Sequence, residues 1–161
     1  VGELLALTPA DFDFEKSTLR VNKSYQRLEG EDIITDPKTP CSIRTITMPE
    51  FLKDEIKEYI GMLYGIGDND RIFDFTKSFL HHEMKRGSEA AGVKKLTLHQ
   101  LRHSHVSLLI NMGFTAVAIA KRVGHESIDI TYRYAHMFPS EQAEMADKLN
   151  IERCENIGEN A

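Results

Sequence analysis

Residues 97–136, TLHQLRHSHVSLLINMGFTAVAIAKRVGHESIDITYRYAH, decide the fold of the C-terminal half of this chain. Thr97 belongs to the residue types that cap helix N-termini and Gly113 to those that end helices, so we predict one helix between them. The helical repeat places four apolar side chains away from the polar face, and we expect these to be core: Leu101, Val106, Leu109 and Ile110.

Shorter helices follow in the same stretch. Thr115 and Gly124 bracket one of them, and Ser127 begins another that runs towards His136. The chain then becomes acidic, and we predict a last helix in a C-terminal tail, residues 137–161.

The N-terminal half contains strand-like sequence. Thr18–Val21 and Ile43–Thr47 alternate or are β-branched, and turn-rich sequence lies between them. We predict a small antiparallel three-stranded sheet within residues 12–48, preceded by the end of a helix that stops before Pro9.

Helical spacing returns after this sheet, over residues 49–64 and 76–91. We therefore predict one α+β domain over residues 1–161, mostly helical, with a helical core over residues 49–136.

Composition indicates an ordinary globular domain. The chain has 161 residues, 41% hydrophobic and 28% charged, which is long enough to bury a core. No apolar run reaches membrane-spanning length and no basic leader precedes Val1, so we expect no secretion signal and no membrane partner. Cys41 and Cys154 lie far apart without a CxxC pattern, which favours reduced thiols in the cytosol over a disulfide framework.

The net charge of −5 argues against a nucleic-acid partner, but its distribution argues for one. Residues 71–136 hold 10 Lys and Arg against 5 Asp and Glu, and all 7 histidines. Residues 1–70 hold 8 against 14, and residues 137–161 hold 2 against 6. We expect a local positive surface on the middle segment, although a solvated helix face gives the same count.

His99 and Arg102 lie three residues apart, so a helix brings both to one face, where they can reach one small anion. The planar guanidinium suits phosphate because it donates two parallel hydrogen bonds and stays charged. Two other interpretations stay open. One is an ordinary surface pair, and the other is a zinc site in which His99 joins His103 and His105, without a further ligand at a telling spacing.

His125 and Tyr134 are the next polar candidates. His125 follows Gly124, so a turn holds its imidazole at a fixed corner, where it can also interact with the carbonyls of the preceding helix. Tyrosines at helical spacing are more often core residues than nucleophiles, and a phenol with a pKa near ~10 attacks only where cations or a base favour its ionised form. Arg102 and the histidines would supply that environment, which predicts a site for metal-free attack on a phosphodiester.

Lys38 lies in Asp36-Pro37-Lys38-Thr39-Pro40, a turn between two predicted strands. An ammonium at such a tip can protonate a leaving alkoxide, and the alternative is an exposed turn lysine without a role.

In order and spacing these motifs resemble the catalytic domain of tyrosine recombinases, the integrases of phages and conjugative transposons. The matching segments are VGELLAL at residues 1–7 for the first box, Lys38 for the lysine of the sheet, HQLRHSH at residues 99–105 for the H-x-x-R box, Gly124-His125 for the later histidine, and Tyr134-Ala135-His136 for the nucleophile and its followers.

The resemblance implies a reaction and a role for each residue. Tyr134 would attack the scissile phosphate to give a 3′-phosphotyrosine and a free 5′-hydroxyl, with charge on the phosphate stabilised by Arg102. His99 would assist proton transfer, His125 would bind the phosphate and Lys38 would protonate the departing 5′-oxygen.

The resemblance also implies partners and a setting. The reaction is site-specific recombination, the integration or excision of a mobile element, on double-stranded DNA attachment sites. It is carried out by a tetramer with accessory DNA-bending or directionality factors, without cofactor or metal, in the cytoplasm of a bacterial host.

The first box departs from the family pattern. In the family an arginine lies three residues before the glutamate matched by Glu3, which is the position before Val1. We therefore expect a catalytic-domain fragment, truncated just after the first catalytic arginine and inactive alone, in which Leu4, Leu5 and Leu7 lack cover and favour self-association. The alternative function is a non-catalytic DNA-binding module that uses the same cleft.

Overall fold

The strands form two separate antiparallel units. The computed structural model describes residues 1–37 and 39–134, together with Ala146 and Leu149. Its three-stranded sheet has β2 in the middle, and its two-stranded unit is a hairpin. The elements of this half are α1 (Gly2–Leu5), β1 (Phe12–Asp13), β2 (Thr18–Val21), β3 (Ser24–Leu28), β4 (Glu31–Thr35) and β5 (Arg44–Thr47), with β1, β2 and β5 in the sheet and β3 and β4 in the hairpin.

The three-stranded sheet and the α+β class confirm the prediction from sequence. In the register of β2 with β5, Leu19 lies opposite Ile46 and Thr18 opposite Thr47. The strand bounds agree with the alternating segments to within one residue.

The hairpin of β3 and β4 was not predicted as a separate unit. Its turn is formed by Glu29 and Gly30, which both have positive φ angles, 52° and 91°, as the tight turns of twisted hairpins require. The hairpin is docked through Tyr25, which is buried among α1 residues and donates a hydrogen bond to Asp32 over 2.9 Å. Arg71 lies over the Tyr25 ring, 4.2 Å from its centroid.

The helices begin and end close to the predicted residues. Thr76, Thr97 and Thr115 each accept a hydrogen bond from a backbone N–H of the first turn, as N-caps do. The bounds are α2 (Glu50–Met62), α3 (Lys77–Ala90), α4 (Leu98–Asn111), α5 (Ala116–Val123) and α6 (Ile128–Tyr132). Helix α6 ends before Tyr134, earlier than its predicted course towards His136.

Helices α4 and α5 pack through one apolar cluster, which consists of Val106, Ile110, Ile119 and Val123. Leu109 and Tyr134 pack against this cluster. The prediction that Leu101 is core is wrong, since 46% of it is exposed. Leu101 precedes Val106 by five residues, which places it about 140° around the helix from the buried side.

A second cluster covers α1. Leu5 is fully buried with Ala6 and Tyr25, and Leu7 is 6% exposed. The expectation that these leucines lack cover is therefore wrong for Leu5 and Leu7, because the hairpin packs on α1, and it holds only for Leu4.

The predictions for Lys38 and Cys154 lie outside the described residues, and of the predicted C-terminal helix only Ala146 and Leu149 are described, both of them helical. Cys41 is an exposed free thiol. None of the helices within the described part of the chain is both long enough and apolar enough to cross a membrane.

Candidate active site

One cleft of about 370 Å³ lies between α4 and the turn that joins α5 to α6. It contains four of the five side chains that the sequence singled out: His99, Arg102, His125 and Tyr134. The fifth, Lys38, is outside the described residues, but its neighbour Thr39 lines the same cleft.

Arg102 is the half-buried cation of this cleft. One of its terminal nitrogens, Nη2, donates a short hydrogen bond to the carbonyl of Val123, the last residue of α5. Burial lowers the pKa of Arg102, and the nearby Glu3 carboxylate acts in the opposite direction. An arginine starts so far above neutrality that it stays protonated, so the cleft holds a permanent positive charge.

His125 is positioned by the end of α5. Gly124 ends the helix in the left-handed conformation, with φ of 69° and ψ of 46°, and the His125 N–H donates to the Ala120 carbonyl over 3.0 Å. The imidazole Nδ1 lies 2.8 Å from the hydroxyl of Thr131, which is completely buried. Its side chain therefore does not cap the α5 carbonyls, and within residues 1–37 and 39–134 the other ring nitrogen has no hydrogen-bond partner.

Burial lowers the pKa of His125, and the electrostatic influence of Arg102 and His103 lowers it further. The neutral imidazole is therefore the favoured form at neutral pH, which suits it to donate a hydrogen bond to an anion without a full charge of its own.

Tyr134 follows α6 and is half-buried against the α4–α5 cluster. Its hydroxyl forms a short hydrogen bond with Nδ1 of His103, and the two ring centroids are 5.8 Å apart. His99 lies one helical turn before His103 and meets that ring edge to face, at 4.6 Å between centroids. The three rings thus form a row along one wall of the cleft.

Arg44 on β5 supports the cleft from behind and was missed by the sequence analysis. Its guanidinium binds both oxygens of Glu3, at 3.0 and 2.8 Å, and donates to the carbonyls of Ser42 and Arg122 at 2.9 and 3.1 Å. Burial pushes the pKa of Glu3 upward, but the hydrogen bond and charge of Arg44 outweigh this, so the pKa is lowered and Glu3 is held as the carboxylate. Arg44 thereby joins α1, β5 and the end of α5.

The structure does not support the interpretation of His99, His103 and His105 as a zinc site. Among residues 1–37 and 39–134, no three His, Cys, Asp or Glu side chains come together in a way that would hold a metal ion. His99 and His103 face the cleft, whereas His105 lies on another side of α4.

A larger groove, about 790 Å³, lies on that other side of α4 and contains none of the five predicted site residues. Its lining is mostly apolar, with Leu108, Met112 and Phe114 among the exposed members and Arg122 at its edge. We take the smaller cleft as the candidate site, since that is where two arginines, two of the predicted histidines and the Tyr134 side chain come together.

The model of the phage integrase family matches residues 1–141. The chain belongs to the phage integrase family. Among curated relatives, it is 32% identical over 165 residues to the ICEBs1 integrase of Bacillus subtilis strain 168, which covers 92% of this chain and 44% of that protein. It is 30% identical over 167 residues to the integrase of Staphylococcus phage L54a, covering 92% of this chain and 47% of the phage protein. The chain therefore spans about half the length of the integrases it matches.

Solved structures of integrases and recombinases share the fold. The Tn1549 transposon integrase in complex with a circular intermediate DNA superposes with a TM-score of 0.71 at 23% identity, covering 96% of this integrase-family chain and 54% of that one. The XerA recombinase superposes with a TM-score of 0.67 at 24% identity, covering 91% and 52%. The α+β architecture of this chain is thus that of a tyrosine recombinase catalytic domain.

Proposed function

We propose that the protein carrying this chain performs site-specific DNA recombination, the integration or excision of a mobile element. It cuts and rejoins strands without a metal, through a 3′-phosphotyrosine intermediate. The observation that carries the proposal is the convergence of the Tyr134 hydroxyl, the Arg102 guanidinium and the His125 imidazole on one cleft, in a chain that belongs to the phage integrase family.

In this proposal Tyr134 attacks the phosphorus and Arg102 stabilises charge on the non-bridging oxygens. Phosphoryl transfer depends mainly on positioning and electrostatic stabilisation, so a preorganised cation matters more than any other single group. His125 donates a hydrogen bond to the phosphate, His99 assists proton transfer, and Lys38 protonates the 5′-oxygen as it leaves.

The fixed contacts of the cleft support these roles. Arg102 is anchored on the Val123 carbonyl and His125 on the Thr131 hydroxyl. Because the protein has already oriented these groups, little reorganisation remains to be done when a phosphate enters.

The proposed partner is double-stranded DNA at attachment sites. The basic segment, residues 71–136, carries the cleft and supplies positive charge beside it, which favours a phosphate backbone. A structural relative has been solved with circular intermediate DNA. We further propose that the protein works as a tetramer with accessory DNA-bending or directionality factors, in the cytoplasm of a bacterial cell.

The test is covalent trapping by the complete gene product that carries this chain. The probe is a nicked suicide duplex built from the attachment-site sequence, once it is mapped at the ends of the mobile element, and in it the cleaved 5′-hydroxyl fragment diffuses away. We expect a DNA adduct on denaturing gels, its loss in Tyr134→Phe and its persistence in Tyr132→Phe, since Tyr132 is 51% exposed and lies outside the cleft lining.

Two results would contradict the proposal. An adduct that survives Tyr134→Phe would show that another residue attacks. Tight binding of the duplex without any adduct in the wild type would favour the non-catalytic DNA-binding module instead.

A further inference from the structure

The side chain that meets the Tyr134 hydroxyl is His103. Nδ1 of His103 and the Tyr134 oxygen are hydrogen-bonded, and the ring centroids lie 5.8 Å apart. His99, which the family resemblance assigns to proton transfer, contacts His103 instead. The imidazole within direct reach of the nucleophile therefore follows Arg102 in the sequence and does not precede it.

Helix geometry explains how Arg102 and His103 serve the cleft from two directions. Neighbouring helical residues point about 100° apart. Arg102 turns towards the end of α5, where it binds the Val123 carbonyl, and His103 turns towards the segment after α6. His99, four residues before His103, lies on the same face and stacks edge to face against its ring, which limits how that ring can rotate.

The other groups of the cleft are less suited to take a proton from Tyr134. Arg102 and Arg133 line the cleft, but a guanidinium does not serve as a proton acceptor. His125 commits Nδ1 to the buried Thr131 hydroxyl. Glu126 lines the same cleft, but the hydrogen bond of the Tyr134 hydroxyl goes to His103.

We propose that His103 is the proton acceptor for the Tyr134 nucleophile, a role that rests on the proposed cleavage reaction. As the bond from the Tyr134 oxygen to phosphorus forms, the phenolic proton passes to Nδ1 of His103. The bond from phosphorus to the 5′-oxygen breaks, and that oxygen takes its proton from a separate donor, the proposed Lys38. Rejoining runs in reverse, so that His103 returns the proton as Tyr134 leaves phosphorus.

This role requires Nδ1 to be unprotonated and Nε2 to carry the ring hydrogen before cleavage. In that tautomer the Tyr134 hydroxyl donates its hydrogen bond to Nδ1 of His103. Arg102 lines the same cleft, where its permanent positive charge is available to the phosphate that the phenol attacks.

The first experiment measures single-turnover adduct formation by the complete gene product on the nicked suicide duplex. General-base catalysis typically contributes about 10²- to 10⁴-fold, so we expect His103→Ala to slow adduct formation by roughly 10²-fold or more while duplex binding is retained. Free imidazole in the buffer should restore part of the rate. His105→Ala is the matched control, because His105 is a histidine of the same helix that lines the other groove, and its rate should equal the wild type.

The second experiment separates a base from an acid. In a duplex with sulphur in place of the bridging 5′-oxygen at the cleavage site, the leaving thiolate needs no proton. The rate of adduct formation by Lys38→Ala should therefore recover on this substrate. The rate for His103→Ala should stay low, because Tyr134 must still lose its proton.

Four outcomes would overturn the proposal. Recovery of His103→Ala on the sulphur substrate would make His103 an acid. A wild-type rate in His103→Gln would show that a hydrogen bond suffices without a base. A wild type that forms no adduct on either duplex would refute both the proposed function and the role of His103. Normal wild-type cleavage together with an unimpaired His103→Ala variant would refute only the role of His103.

Discussion

Arg102 contacts two parts of the molecule at once. Its guanidinium lines the cleft while one nitrogen is held by the carbonyl of Val123. A donor fixed in this way costs little reorganisation when charge develops on a phosphate, which is the usual source of electrostatic catalysis. The remaining nitrogens are the ones that a phosphate would meet.

His125 gives a pH-dependent contribution to stability. Its pKa is lowered in the folded chain by burial, and further by Arg102 and His103, so the unfolded chain takes up the proton first as the pH falls. The stabilisation is fully present above the unfolded pKa of ~6.5 and is lost as the pH falls from there towards the lower folded pKa.

We therefore predict a smaller free energy of unfolding at about pH 5.5 than at about pH 7.5, and a smaller pH dependence in His125→Asn. Asparagine can keep a hydrogen bond to Thr131 but has no proton to gain. Urea denaturation at the two pH values measures both. The dependence should shrink without vanishing, because burial also lowers the pKa of His105. An identical pH dependence in the two proteins would contradict the assignment.

At the scale of elements, the turn after α5 depends on a close contact with β5. Gly124 has a φ of +69°, and a Cβ built there would lie 2.9 Å from a guanidinium nitrogen of Arg44. That guanidinium also holds Glu3 and the Arg122 carbonyl, so it has little freedom to move away. A side chain at this position would disturb the brace and the His125 turn together.

Gly113 provides the matched control for this turn. It too has a positive φ, +84°, but no atom lies within 4 Å of a Cβ built there. Left-handed backbone costs a non-glycine residue about 1–2 kcal/mol, so Gly113→Ala should lose roughly that amount in free energy of unfolding. Gly124→Ala should lose more, and it alone should slow adduct formation. Equal losses for the two variants, measured by urea denaturation, would contradict the role of the Arg44 contact.

For the whole molecule, the unequal distribution of charge matters more than the net value of −5. Lys95 is exposed just before Thr97, the N-cap of α4, and so lies near the helix that carries His99 and Arg102. Lys16 is equally exposed but is paired with Asp13 in the acidic N-terminal half.

We predict that Lys95→Gln weakens duplex binding by the complete gene product and lowers the slope of log affinity against log salt by about 1, as the loss of one phosphate contact should. Lys16→Gln should leave the slope unchanged. Fluorescence anisotropy over a range of salt concentrations measures both slopes. A reduced slope for Lys16→Gln, or an unchanged slope for Lys95→Gln, would place the DNA on another face.

The sequence predicted those parts of the molecule that local signals determine. The caps at Thr76, Thr97 and Thr115 gave the helix starts, because a capping side chain and its backbone partner are only three residues apart. The sequence motifs around Arg102 and His125 predicted most of the residues that line the cleft, because each motif lies within a few consecutive residues of one helix or turn.

The parts that were missed depend on contacts between distant segments. Arg44 and Glu3 are 41 residues apart, and no local pattern marks their ion pair. His99 and His103 share one face of α4, so only the path of the chain after α6 decides which of them meets Tyr134. The hairpin was missed because its strands are largely polar, and only Tyr25 reveals the side that is buried.

Peptide mass spectrometry of the trapped adduct identifies the residue that attacks DNA, which we propose to be Tyr134. After nuclease and protease digestion, we expect a nucleotide remnant joined through its 3′-phosphate to Tyr134. A remnant on Tyr132 or on any other residue would show that Tyr134 is not the nucleophile.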